Sequence, residues 1–257
     1  MHSDKPRQCL IGVSIVVMAM LAGCAGSIPA APKDQRAATD PWEPLNRRIY
    51  NFNTGFDNVT FKPLAKGYEK VVPEFAKKGV GNFSRNLLAP RNIINNLLQG
   101  KPGRAMVEFG RFLTNTTFGI GGLFDPATSS GLEAYPERFG ETFAVWGMPE
   151  GPYVVIPVLG PNTVSSAVGI PFGFLTDPLF YADDDSTKWI IYGIRAIHFR
   201  ERLFAAEDAL FKDSFDRYLT MRESFLQNRR FRIYDGDPPE DEDFYDEFLD
   251  EEEEPKK

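Results

Sequence analysis

Cysteine and histidine, the side chains that most often supply nucleophiles, general bases and soft-metal ligands, occur only as Cys9, Cys24, His2 and His198 in the 257 residues. Nucleophilic catalysis needs such a group beside a base, and a zinc site needs several ligands together. His198 stands between Ile197 and Phe199 in an apolar stretch, where imidazole more often packs than reacts. No Gly-x-Ser-x-Gly, His-Glu-x-x-His or Walker pattern is present. Gly119, Gly121 and Gly122 fit neither phosphate-loop spacing and read as a tight turn. An acyl hydrolase would need His198 with a serine and a carboxylate brought from elsewhere. The chemistry expected is non-covalent, with no cofactor, no metal and no nucleic-acid partner.

Cys24 is the exception. Lys5 and Arg7, an apolar run over residues 9–20 and the small residues before Cys24 have the order of an export signal. Leu21-Ala22-Gly23-Cys24 resembles the bacterial lipobox, in which cleavage precedes a cysteine whose thiol and new amino group are acylated. Residues 1–23 are then a lipoprotein signal peptide, and three acyl chains on Cys24 exceed the two signals that stable anchoring needs. By the sorting rule of Gram-negative lipoproteins, Ala25 in place of Asp implies the outer membrane, on its periplasmic face. Loss of Cys9 and His2 with the signal leaves no disulfide, free thiol or paired imidazole. Residues 24–39 are small, polar and Pro-containing, and read as a lipidated tether.

The elements that must carry function follow from residue 40. Residues 151–176 contain no charge in 26 positions, which on hydropathy alone would qualify as a membrane span. Pro152, Pro157, Pro161 and Pro171 forbid a straight helix there, so the stretch belongs to a core or to an apolar cavity. Asp40-Pro41-Trp42-Glu43-Pro44 predicts a helix start with Asp40 as cap, or a restart at Pro44. Leu45, Ile49, Phe52 and Phe56 then form one apolar stripe, with Asn46, Arg47, Arg48, Asn51 and Asn53 off it. Such a helix packs its stripe on a core or turns its asparagines to a polar lining.

Pro90 predicts a new helix carrying Ile93, Ile94, Leu97 and Leu98, and Pro102 another carrying Met106, Phe109, Phe112 and Leu113. The β-type runs 142–146 and 153–156 predict a hairpin, the second strand confined to an edge by Pro157. From about Ser186 to Asp213 a long helix is expected, apolar nearly all round over Trp189, Ile190, Ile191, Ile194 and Ile197. A helix of that kind is buried or faces lipid. A last helix carries Phe215, Tyr218, Leu219, Phe225 and Leu226. With 22 Phe, 22 Gly and 20 Pro, the chain reads as short stripes joined by tight turns, a composition suited to a lipid interface.

Residues 235–257 hold 13 acidic residues and two lysines, a net of -11 against -7 for the whole chain, which leaves +4 for residues 1–234. The low pI is therefore a property of this stretch, which reads as a disordered, solvated acidic tail. Phe244, Tyr245, Phe248 and Leu249, spaced as one helical face, keep open its use as a docking peptide.

Residues 40–234 carry a set of short motifs: Asp40-Pro41-Trp42-Glu43, Asn46-Arg47 and Tyr50-Asn51-Phe52-Asn53; Asn82-Phe83, Asn86-Leu87 and Pro90; Arg111-Phe112, Asn115, Gly119, Gly121-Gly122 and Asp125. Arg138-Phe139-Gly140-Glu141-Thr142, Gly151-Pro152-Tyr153 and Gly160-Pro161 follow. Together they resemble the MlaA (VacJ) family of outer-membrane lipoproteins. The chain departs from that pattern at Ser165-Ser166 and at Arg217.

The resemblance implies a mainly α fold, a ring of short amphipathic helices around a pore with one small β-hairpin. It implies removal of mislocalised phospholipid from the outer leaflet, association with a trimeric outer-membrane porin, and delivery to a soluble periplasmic lipid carrier. Carried onto this sequence, Asn51 and Phe52 control the pore, and Tyr153, Val155, Pro157 and Phe172 line or gate it. A non-transporting envelope adaptor is the alternative that needs no cavity.

Overall fold

The computed structural model describes residues 39–239, and the chain divides into units 1–39 and 40–257. The signal, Cys24, the tether and the acidic stretch from residue 240 lie outside the described residues. Helices α1 (Glu43–Val59), α2 (Phe61–Val71), α3 (Glu74–Leu98), α4 (Pro102–Thr117), α5 (Pro126–Ser129) and α6 (Phe139–Val145) precede a hairpin of β1 (Tyr153–Ile156) and β2 (Gly160–Thr163). Helix α7 (Val164–Leu175), a 3-10 turn (Pro178–Tyr181), α8 (Asp185–Arg202), α9 (Phe204–Phe211) and α10 (Arg217–Ile233) follow. The mainly α fold with one small hairpin is as the sequence leads one to expect. No described helix is long and apolar enough to cross a membrane.

The polarity of the helices is inverted. In α3 the buried side chains are Lys77, Asn86, Asn92, Asn95 and Asn96 with small residues, while Phe75, Ile94, Leu97 and Leu98 are exposed. In α4 Glu108, Arg111 and Asn115 are buried, and Met106, Phe109 and Leu113 are exposed. Helix α1 repeats this, with Asn46 at 0% and Leu45 and Phe52 at 54% and 56% exposure. Much of each stripe legible in the sequence thus points outward, with Ile49 packed on the core as an exception, an arrangement that water does not favour and that lipid does.

The interior is held by hydrogen bonds. Asn92 Nδ2 donates to Glu108 Oε2 at 3.1 Å, Asn96 Nδ2 to the Tyr135 carbonyl at 3.0 Å, and the Tyr135 amide to Glu108 Oε1 at 2.6 Å. Arg111 Nη2 and Asn115 Nδ2 both reach Asp125. The apolar core among the described residues is small: Tyr153, Val155 and Tyr218, with Ile49, Tyr50, Leu219, Phe225 and Leu226 packed around them.

Four local expectations are corrected. Pro90 does not begin a helix but lies inside α3. Asn86, bonded to Thr116 at 3.0 Å, and Asn92 fix both sides of it to α4, so tertiary bonds offset the one the proline removes. Asp40 caps nothing; its carboxylate accepts from Asn46 Nδ2 at 2.7 Å and from the Tyr218 hydroxyl, and Arg222 Nη1 lies 3.4 Å away. Residues 142–145 are helical and Trp146 caps the helix, because Glu141 Oε2 accepts the Arg138 amide at 2.8 Å and Thr142 donates to Asn95 Oδ1 at 2.6 Å. The hairpin therefore pairs β1 with β2, in the register Tyr153↔Thr163 to Ile156↔Gly160. The long helix from Ser186 breaks at Leu203 into α8 and α9.

The body also continues past residue 234. Asp235 accepts from Lys101 Nζ at 2.7 Å and Arg104 Nη1 at 2.5 Å, which fastens the first acidic residue to α4 and its approach.

Candidate functional site

A cavity of about 660 Å³ lies between α3, α7, α8 and the start of α6. Its walls are of two kinds. Leu88, Phe139, Ile170, Phe174 and Phe199 are apolar, whereas Arg85, Arg91, Arg138, Arg195 and Arg202 are cationic. Asp177 is the one carboxylate in this lining, and its Oδ2 accepts from Arg195 Nη1 at 2.8 Å.

Close backbone approach makes one wall. A Cβ on Gly169 of α7 would fall 2.6 Å from the Gly140 nitrogen of α6, and one on Gly140 would fall 2.9 Å from Ser166 Cα. Only glycine permits that contact, and both glycines face the cavity. On the opposite side Gly81 of α3 meets His198 of α8, with a Cβ position 3.0 Å from Nε2.

The arginines sit in an unbalanced field. Arg91 Nε has no acceptor among the described residues, and its Nη2 meets only Asn92 Oδ1 at 3.4 Å. Burial lowers the Arg91 pKa to about 10, with the charges of Arg138 and Arg195 acting in the same direction. Burial also lowers Arg138, to which Arg232 adds repulsion. Arg138 keeps its solvent access while protein surrounds it, as befits a side chain projecting into a wet cavity.

His198 lines the same cavity, 3.3 Å through Nδ1 from the Tyr68 hydroxyl, and burial lowers its pKa. Ser84 in that lining donates its hydroxyl to the Val80 carbonyl at 2.7 Å instead. No cluster of metal-ligating groups occurs among the described residues.

The residues singled out from the sequence lie elsewhere. Asn51 and Phe52 are exposed on α1, with Phe52 stacked on Phe56 at 6.1 Å. Tyr153 and Val155 are buried in the small core, and Tyr153 meets Tyr218 and Phe225 edge to face. Pro157 is exposed at the hairpin tip beside Val158, which holds a φ of 67°. Asn53 fastens that tip to α1, donating to the Ile156 carbonyl at 3.0 Å and accepting the Val158 amide at 2.8 Å. Tyr153, Val155 and Pro157 thus lie along the hairpin that Asn46 and Asn53 fasten to α1, whereas Asn51 and Phe52 stand on the exposed surface of α1. Phe172 stands apart on α7, packed on Phe139 and Phe143 at 5.6 Å each. Cys24 lies outside the described residues.

Of the five cavity arginines the sequence singled out only Arg138, as part of a family motif and with no role attached; the other four read there as ordinary surface charges. A signal did exist: Arg195 and Arg202 stand seven residues apart on α8, two helical turns along one face, and Arg195 interrupts its apolar half.

Three comparisons bear on this geometry. A family model described as MlaA lipoprotein matches residues 38–232. The chain is 35% identical over 229 residues to the intermembrane phospholipid transport system lipoprotein MlaA of Escherichia coli strain K12, covering 85% of this chain and 86% of that one. Its counterpart in Haemophilus influenzae is 33% identical over 221 residues, covering 84% and 87%. An uncharacterised Rickettsia prowazekii protein is 34% identical over 196 residues, 76% of this chain and 78% of that one. A structure solved in work on the structural basis for maintenance of bacterial outer membrane lipid asymmetry aligns with a TM-score of 0.65 at 34% identity. It covers 76% of this chain and 98% of its own.

Proposed function

The chain belongs to the MlaA lipoprotein family, and from that premise we infer that it serves intermembrane phospholipid transport, as an outer-membrane lipoprotein that maintains lipid asymmetry. It is a transport lipoprotein and not an enzyme.

One observation carries the reading beyond the family: a body with exposed apolar side chains outside and asparagines and ion pairs inside surrounds a cavity that combines an apolar wall with five arginines. A phospholipid presents the same two chemistries, so the body shelters in lipid while the cavity wets a headgroup. Moving a lipid makes and breaks no bond, and a cavity without an assembled nucleophile is sufficient for it.

The finer steps belong to this reading. The cavity is part of an amphipathic passage from the outer leaflet, gated where α1 meets the hairpin by Asn51, Phe52, Tyr153, Val155 and Pro157, with Phe172 at the α6–α7 wall. The strained φ at Val158, held by Asn53, supports a gate there, since such strain persists only where surrounding contacts impose it. Outward apolar stripes on α1, α3 and α4 offer a seat against a trimeric porin in the inner leaflet. A soluble periplasmic carrier receives the lipid, and acyl chains on Cys24 hold the body at the membrane.

The test is the phospholipid exposed in the outer leaflet of cells lacking the protein. A rise on deletion that the full-length gene reverses is expected. An unchanged level would favour an adaptor that tethers other envelope proteins.

A further inference from the structure

The cavity carries more positive charge than its own residues neutralise. Among the described residues Arg138 and Arg202 have no ion pair or side-chain hydrogen bond, Arg85 reaches only Asn82 Oδ1 at 2.6 Å, and Arg91 only Asn92. Arg195 alone is paired, with Asp177. Nearby carboxylates are engaged by cations outside this lining: Glu201 lies 3.4 Å from Lys77 and Glu141 3.1 Å from Arg232. Five guanidinium groups thus face one committed carboxylate in a partly apolar space.

A ligand entering this space meets two conditions. A phosphate diester supplies the acceptors that Arg91 and Arg138 lack, in the forked geometry that guanidinium groups match. An ammonium on the same headgroup finds no free carboxylate and is repelled by the remaining arginines. Resting on the phospholipid reading above, we propose that this cavity selects phospholipids whose headgroup carries a net negative charge, a phosphate diester without an ammonium, over zwitterionic ones. The apolar wall of Leu88, Ile170, Phe174 and Phe199 receives the first part of the acyl chains, which separates a lipid from free phosphate.

The experiment offers the purified, acylated full-length protein equal amounts of a short-chain phosphatidylglycerol and a short-chain phosphatidylethanolamine, with bound lipid counted by native mass spectrometry. Enrichment of the glycerol lipid by about tenfold, the equivalent of one ordinary pairing, is expected. Arg91→Gln and Arg138→Gln should bring the ratio towards one, with Arg202→Gln as a third variant should either fail to fold. Arg48→Gln, exposed on α1, should leave the enrichment intact. Equal binding of the two lipids by the unaltered protein overturns the selectivity and leaves the phospholipid reading standing. Binding of neither overturns both. Inorganic phosphate that displaces the lipid fully at millimolar concentration would make the site a general anion site and overturn the assignment to lipid.

Discussion

Asn46 donates through Nδ2 to the carbonyl of Tyr153 at 3.1 Å, while its Oδ1 accepts the Val155 amide at 2.9 Å. One buried side-chain amide therefore completes the hydrogen bonding of β1 from a helix more than a hundred residues earlier. Asn53, two turns on, repeats the pattern with Ile156 and Val158. The hairpin is registered on α1 by these two residues.

Asn46→Ala removes both bonds and one partner of the buried Asp40. Each buried group left unpaired costs about 1–3 kcal/mol, so thermal unfolding should fall by several degrees. Asn46→Asp should be at least as damaging, because it sets a second carboxylate beside Asp40 and a carbonyl. A melting temperature within a degree of the parent for Asn46→Ala would contradict the clamp.

Gly169→Ala places a methyl group 2.6 Å from the Gly140 nitrogen, where backbone on both sides leaves no room to yield. Overpacking of this kind costs about 1–3 kcal/mol, and the α6–α7 wall should open. Gly173→Ala, four residues on in the same helix and with nothing within 4 Å of its Cβ position, should hold or raise the melting temperature. The pair is compared by thermal unfolding in one detergent.

His198 has a pKa lowered by burial, so the folded state holds it neutral more strongly than the unfolded state does. Below the unfolded value of about 6.5 the unfolded chain binds the extra proton, and stability falls as pH falls through that window. Comparing melting at pH 7.5 and 5.5, the loss should be larger in the parent than in His198→Gln. Outer-leaflet clearance by His198→Ala should be normal, since no bond is cleaved.

The apolar stripes predict membrane association by the body itself. Chain purified without its signal and with Cys24→Ser should still float with phospholipid vesicles in a density gradient. Replacing Trp189, Ile190 and Ile194, all exposed on α8, by serine should reduce that flotation and leave the melting temperature nearly unchanged. Recovery of the unsubstituted chain wholly in the vesicle-free fraction would contradict the outward stripes.

Helix content, the small hairpin and the family were legible in the sequence because they rest on periodicity and on short motifs such as Asn46-Arg47 and Gly160-Pro161. Which way a stripe faces was not legible: Leu45, Phe52, Ile94 and Phe109 keep the same period whether they meet a core or a bilayer. Pro90 and the run 142–146 misled because Asn86, Asn92 and Asn95 act from a distance in sequence, overriding local preference. The cavity stayed hidden for the same reason. Its arginines come from α3, the start of α6 and α8, more than a hundred residues apart, and only the fold shows that they lack partners.

The central claim is that phospholipid passes through the cavity between α3, α7 and α8. On the proposed loss of the signal and acylation of Cys24 the chain carries no free thiol, so Ala196→Cys would then place a single reactive group in the lining. The measurement is outer-leaflet phospholipid in cells carrying this variant, before and after treatment with a bulky, membrane-impermeant thiol reagent, with the exposed Asn58→Cys as control. Exposure should rise after labelling at position 196 and stay unchanged after labelling at position 58. Full clearance by fully labelled Ala196→Cys protein would contradict the account.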